Sequence, residues 1–359
     1  MSDRSPKPAH DPQALFATAL AGFPKDGPVL VMGHNDADGL SATALFARVL
    51  GETGWVVYTR TLGRGENPWS PEIAAELADA TPGGLIVTDL GLRPGKLGPP
   101  SLPVVIADHH VPQGFEDGEA PANTTIITGY GLNPIPTSSL LAWECAKALG
   151  DAEPLVWLAA LGLVGDMADK EFPAVMAQAK PFGITAIRDA ASLVNAPRRA
   201  SGGDASPALA LLMKAEGPKD VLSGRFEETE ALLAAKTEVK AALDGAKRIP
   251  PRISGDVALI RFSTPCQIHP LVAQSWRGRL KDKIVIAANE GYRPGWVHFA
   301  ARTATDANLI EFFAAHKPEG ADEHYGGGHV QASGGALKPD QWRAFLDSIG
   351  FPLKRSKAA

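Results

Sequence analysis

A series of short aliphatic runs constrains this chain more than any other feature of it. Segments 28–34 (PVLVMGH), 85–88 (LIVT) and 104–107 (VVIA) are almost uninterrupted in apolar character, and 55–59 and 124–128 (TTIIT) read as further strands. A strand with one solvated face alternates apolar and polar residues; an unbroken run belongs to a strand covered on both faces. The intervening stretches suit helices. Segment 39–50 (GLSATALFARVL) is amphipathic, and Ser70-Pro71 offers an N-cap followed by proline in the first turn. Strands alternating with helices predict an α/β fold on a parallel sheet. Helices are expected again over 138–149 and 154–168.

A chain of 359 residues is long for one core, so two domains are expected. From about 175 to 250 strand signals vanish and Ala-rich amphipathic pieces take over, the longest at 227–247. A second α/β pattern starts near Asp256, with DVALIRF, KIVIAAN and WVHFAAR, a helix from Asp306 and a glycine cluster at 326–328. The expected division is a disordered tail 1–12, a catalytic domain 13–172, a helical connector 173–250, a smaller α/β substrate-binding domain 251–350 and a tail 351–359. The net charge of −5 argues against wrapping nucleic acid by charge alone. Two cysteines, Cys145 and Cys266, are too few for a disulfide framework. The first residues lack the apolar core of a signal peptide, and no run of about 18 apolar residues is present to span a membrane. A cytoplasmic location follows as the expectation.

The strands end in ionisable residues. The first runs into Gly33-His34-Asn35-Asp36-Ala37-Asp38-Gly39, the third into Asp89 and the fourth into Asp108-His109-His110. Carboxyl ends of parallel strands share one edge, where ligands bind. His34, Asp36, Asp38, Asp89 and His109 therefore reach one rim, and Asp166 ends an apolar helix that can add a sixth group. Taken singly, Asp36 and Asp38 read as helix or turn caps, and Asp89 says little. Taken together, so many acids raise one another's pKa unless cations intervene. Oxygen donors with some imidazole suit Mn²⁺ or Mg²⁺ better than zinc. Six candidate ligands exceed what one ion needs, which points to two ions sharing a carboxylate.

The segments GHNDADGLSA, VTDLG, ADHH and LVGDMAD, in this order, resemble the motifs of the DHH phosphoesterase superfamily, and GGGHVQASGG resembles the glycine-histidine motif of its DHHA1 domain. The resemblance covers about 28–170 and 253–348. It implies a parallel-sheet DHH domain, a helical connector and a smaller α/β DHHA1 domain. It implies His34, Asp36 and Asp89 as ligands of one metal and Asp38, Asp89, His109 and Asp166 as ligands of the other, with Asp89 bridging. His110 would face the scissile phosphate, and Asp108 would orient the histidines. The spacing His-x-Asp-x-Asp is similar to that of RecJ-like and archaeal members, while other branches place two more residues before the first aspartate. Asp169 competes with Asp166 for the last ligand position.

In the second domain, Gly326-Gly327-Gly328-His329 can bring backbone amides close to an anion, with His329 as a donor. Read alone it is a flexible turn, and Arg302 alone is a solvated strand end. In the DHHA1 context Arg302, Gly327, Gly328 and His329 are expected to bind substrate. The basic stretch from Arg277 to Arg302, with Trp276, Tyr292 and Trp296, suits either a single strand or a solvated face over core aromatics. The RecJ oligonucleotide-binding barrel has no counterpart after residue 348, so short substrates are expected. The resulting reading is a Mn²⁺-dependent phosphodiesterase or exonuclease acting on short single-stranded DNA or RNA. The alternatives are hydrolysis of a small nucleotide, such as 3′-phosphoadenosine 5′-phosphate or a cyclic dinucleotide, and a non-catalytic nucleic-acid-binding scaffold. No membrane partner is expected; a homodimer is compatible with this reading.

Overall fold

A computed structural model describes residues 11–93, 95–113, 120–322 and 325–352. The chain divides into two compact units, one of Met1–Arg198 and Gly203–Leu233, the other of Arg199–Gly202 and Ala234–Ala359.

The first unit contains α1 (Pro12–Ala21), β1 (Val29–Gly33), α2 (Ala37–Glu52), β2 (Val57–Thr61), α3 (Pro71–Ala80), β3 (Gly84–Thr88), β4 (Val104–Asp108), β5 (Thr124–Thr128), α4 (Ser138–Ala146) and α5 (Val156–Gly165). They are followed by α6 (Pro173–Ala179), α7 (Ile184–Val194), α8 (Ser206–Lys214), α9 (Pro218–Leu222) and the long α10 (Glu227–Lys247), within which the division between units falls. The five strands form one all-parallel sheet in the order β2-β1-β3-β4-β5. Every residue of β1, β3 and β4 is buried, as their unbroken apolar sequences require. One face carries the large core of Phe16, Phe46, Trp143 and Trp157, and the other a smaller cluster around Met32, Ile73 and Leu77. The helical stretch expected to connect the domains splits in the same way: Ala179, Ile187, Leu211 and Leu232 belong to the large core, whereas Val239 and Ala246 pack in the second unit.

The strand order fixes where the sheet opens. The chain passes from β1 outward to β2 and returns to β3 on the other side of β1, so β1 and β3 flank the topological switch point. His34 and Asp36 follow β1 and Asp89 follows β3.

The second unit holds β6 (Arg252–Ser254), β7 (Val257–Phe262), α11 (His269–Arg277), β8 (Ile284–Arg293), β9 (Trp296–Thr303), α12 (Leu309–Ala315), β10 (Tyr325–His329), β11 (Ala332–Leu337) and α13 (Pro339–Ser348). Its sheet is ordered β10-β11-β9-β8-β7-β6, and only the β7–β8 pair is parallel. Two sequence expectations change here. The glycine cluster is an edge strand paired with β11, because glycine amides can still complete an antiparallel ladder. Phe351, assigned to a tail, is buried with Phe345 and Trp342. Similarly α1 begins at Pro12, capped by the Asp11 side chain, inside the segment expected as a tail; 1–10 and 353–359 lie outside the described residues. Among the described residues no helix is long and apolar enough to cross a membrane.

The end of β1 is packed so closely that it admits only glycine. A Cβ on Gly33 would lie 1.9 Å from the Thr43 hydroxyl, which donates to Gly39 O at 2.8 Å and is thereby held in place. Gly33→Ala should therefore destabilise the protein by about 1–3 kcal/mol. Thr43→Ala in the same chain should recover much of that loss, as urea unfolding of the double-mutant cycle will show. Additive effects would mean that this contact is not the constraint.

Candidate metal centre

Each group of the centre is placed by an element end. Asp36 caps α2, accepting the Gly39 amide at 3.1 Å. Asp38 lies in the first turn of α2, fully buried. Asp89 leaves β3 with φ +61°, a left-handed conformation that aspartate tolerates better than most residues. His109 and His110 leave β4, and Asp166 ends α5.

The side chains converge. His34 Nδ1 is 3.0 Å from Asp36 Oδ2 and 3.4 Å from Asp89 Oδ2. His109 Nε2 is 3.4 Å from Asp89 Oδ1 and 3.6 Å from Asp166 Oδ2. Donor atoms of His34, Asp36 and Asp89 lie within 4.8 Å of one another, and so do those of Asp38, His109 and Asp166, and of Asp89, His109 and His110. The six residues expected as ligands thus form two sets, with Asp89 turning one oxygen toward His34 and the other toward His109. Asp169 is in neither set: it pairs with Arg188 at 2.9 Å.

Asp108 is fully buried and accepts from the Gly91 amide, at 2.7 Å, and from the His110 amide, at 2.7 Å. Its Oδ1 is also 3.0 Å from His110 Nδ1, which fixes that ring by its Nδ1 and leaves Nε2 available. Burial works against this carboxylate, but His110 and the amides hold its pKa below the usual range.

The sequence reading missed four contributors. Arg198 Nη1 is 3.4 Å from Asp36 Oδ2, and Asn195 Oδ1 accepts the Ala37 amide at 3.0 Å. The amides of Ser138 and Ser139 donate to the two oxygens of Asp38 at 2.8 and 3.0 Å. Thr137-Ser138-Ser139 reads as a generic helix start, and Asn195 and Arg198 are more than 150 residues from Ala37 and Asp36, the residues they meet. No local pattern marks them.

The charges are not balanced by protein groups alone. Burial, then Asp89, raises Asp38 to about 7, and burial, then Asp38, raises Asp166 to about 8. Burial disfavours charge on His34, yet Asp36 and Asp89 raise it to about 10; His109 is likewise raised to about 10 against burial, by Asp89 and Asp38. Asp36 stays well below the usual range because His34 and Arg198 outweigh its burial. Acids whose pKa is pushed up toward neutrality, alongside imidazoles and further carboxylates, fit divalent cations with oxygen and nitrogen ligands.

In the second unit, His329 pairs with Ala332 and Ala332 with Arg302, so one row across three strands carries both side chains on one face with a small residue between them. Gly327 and Gly328 are exposed on the sheet edge. A Cβ on Gly328 would meet Ala332 O at 2.5 Å, and φ there is +125°. Arg302 Nη1 donates to Ala301 O at 2.9 Å. The aromatic residues of the basic stretch are largely structural: Tyr292 is buried, and Trp276 packs on the core with Arg279 over its ring at 5.0 Å.

No protein-family model matches the sequence, and no curated protein matches it. Solved structures do. RecJ from Thermus thermophilus in complex with Mn²⁺ superposes with a TM-score of 0.66 at 17% identity, covering 97% of this chain and 55% of that one. An exonuclease RecJ bound to manganese gives 0.61 at 20% identity, covering 96% and 94%. The DHH domain of a member of the s1p family of ribosomal proteins gives 0.62 at 15%, covering 95% and 89%. The chain thus spans little more than half the length of the Thermus protein. Its fold is the one that these RecJ and DHH-domain structures share.

Metal ligation needs neutral imidazole and ionised carboxylate. At neutral pH, Asp166, His34 and His109 hold protons that an arriving cation must displace. Calorimetric Mn²⁺ titrations in buffers of different ionisation enthalpy should show a net release of at least about one proton, and affinity should rise between about pH 6 and 9. Binding that is pH-independent and releases no protons would show that these donors are not ligands.

Proposed function

We propose that the first unit is a metal-dependent phosphoesterase centre, using two Mn²⁺ or Mg²⁺ ions to hydrolyse phosphodiester bonds of short single-stranded DNA or RNA. The observation that carries this reading is the splayed Asp89 carboxylate, 3.4 Å from His34 through one oxygen and 3.4 Å from His109 through the other. A carboxylate shared by two ligand sets is what a pair of ions needs. The fold shared with RecJ, solved with Mn²⁺ and with Mg²⁺, supports the choice of cations.

His34, Asp36 and Asp89 would hold one ion, and Asp38, Asp89, His109 and Asp166 the other. Bound there, the ions would supply Lewis acidity toward the phosphate oxygens and toward water. The remaining residues act directly. His110 is half-exposed beside the ligand sets, and Asp108 holds its Nδ1. Burial lowers the pKa of His110, but Asp108 more than offsets it and the pKa is raised, so Nε2 can present a proton to a phosphate oxygen. Arg198, beside Asp36, adds positive charge where a phosphate would arrive. In the second unit, Arg302 and His329, with the exposed backbone of Gly327 and Gly328, would hold a phosphate of the substrate.

The test is a substrate panel with Mn²⁺: dinucleotides, DNA and RNA 20-mers, cyclic dinucleotides, 3′-phosphoadenosine 5′-phosphate and bis-p-nitrophenyl phosphate. Turnover of dinucleotides and short oligomers is expected, falling more than about 100-fold in Asp38→Ala and in Asp166→Ala with the fold retained by circular dichroism. Turnover confined to 3′-phosphoadenosine 5′-phosphate or a cyclic dinucleotide would replace the substrate assignment, and undiminished turnover in both variants would remove the two-ion centre. Arg302→Ala should weaken nucleotide binding about tenfold or more while metal uptake is unchanged. Unchanged nucleotide affinity in that variant would exclude Arg302 as an anchor.

A further inference from the structure

Three consecutive hydroxyl residues open α4, and those of Thr137 and Ser139 lie 3.0 Å apart, within hydrogen-bond distance. Thr137 caps the helix, its Oγ accepting the Leu140 amide at 3.4 Å. Ser139 Oγ donates to Ala159 O of α5 at 3.3 Å, tying the two helices together. Ser138 is required for neither task. Its hydroxyl is buried and donates to Asp89 Oδ1 at 3.0 Å.

That oxygen is the one facing His109, while Oδ2 faces His34. The last torsion of an aspartate is soft, with broad wells. A carboxylate free to turn about it can give both oxygens to one ion and abandon the other. The strained backbone at Asp89 fixes where its Cα sits but not that torsion. Ser138 supplies the missing restraint from a rigid base. Its own amide and that of Ser139 are bonded to Asp38, and α5 comes so close behind them that a Cβ on Gly162 would lie 1.9 Å from Ser139 Oγ and 2.3 Å from Asp38 Oδ1.

We propose that Ser138 is a positioning residue that holds the Asp89 carboxylate in its splayed orientation, so that the chain takes up two divalent cations and not one. This rests on the two-ion reading above. Ser138 touches neither substrate nor the reacting atoms in this assignment; it acts through Asp89. Groups that orient a ligand in this way typically change metal affinity 10–100-fold when removed.

The experiment is Mn²⁺ binding to the full chain, followed by calorimetry and by the electron paramagnetic resonance of free Mn²⁺. The wild-type chain should bind two ions. In Ser138→Ala one of them should bind about 10–100-fold more weakly, and it should be the ion also lost in Asp166→Asn, because Oδ1 faces that ligand set. The melting temperature in EDTA should stay close to wild type, while the increment given by saturating Mn²⁺ shrinks. Ser138→Thr, which restores the hydroxyl, should restore the second ion. If Ser138→Ala does not fold, Ser138→Cys serves, since a thiol is a much weaker donor. Two ions of unchanged affinity, or equal weakening of both, would overturn the role of Ser138 alone. Fewer than two ions in the wild-type chain would overturn the two-ion reading itself and the proposal with it.

Discussion

Desolvated negative charge is the constraint from which the rest of this structure follows. Asp36, Asp38, Asp89, Asp108 and Asp166 gather at one edge of a parallel sheet, and Asp38 and Asp108 have no exposure to solvent. A buried carboxylate without partners is too costly to persist. Four of the five are therefore met by donors: the first turn of α2 for Asp36, the first amides of α4 for Asp38, the Ser138 hydroxyl for Asp89, and the Gly91 and His110 amides for Asp108. Helix N-termini are suited to this because their first amides lack partners within the helix.

The same demand explains why small residues sit where they do. Two helices can place their first turns on the carboxylates only if nothing stands between them and the sheet. Gly33 lets α2 lie against β1, and Gly162 lets α5 close over Asp38 and Ser139. These glycines are conformationally ordinary; what they provide is space. Even so, donors and histidines do not neutralise the cluster, and the raised pKa values of Asp38 and Asp166 express what is left over. Divalent cations would remove that remaining charge more effectively than protons, because one ion can satisfy several carboxylates at once.

The second unit solves a different problem. Its sheet is mostly antiparallel, and its β10 edge strand contains the exposed Gly327 and Gly328. The alignment of His329, Ala332 and Arg302 in one row depends on how three strands pair, and strand register is not written into any one of them. The sequence suggested a turn for these glycines because their propensity favours one; pairing with β11 overrides that preference.

What the sequence determined by itself is the parallel sheet, its strand ends and the ionisable groups on them. Unbroken aliphatic runs can only be strands covered on both faces, and parallel strands must deliver their carboxyl ends to one edge. For that reason His34, Asp36, Asp38, Asp89, His109 and Asp166 were legible as a cluster, each adjoining an apolar run. Only the tertiary structure set Asp166, and not Asp169, beside His109, since both follow the same helix; Asp169 pairs with Arg188. It alone brought in Ser138, Ser139, Asn195 and Arg198, and it alone turned the two oxygens of Asp89 apart. Such contacts form between segments up to about 160 residues apart, and their geometry comes from the packing of α2, α4, α5 and the segment after α7, not from any local pattern of residues.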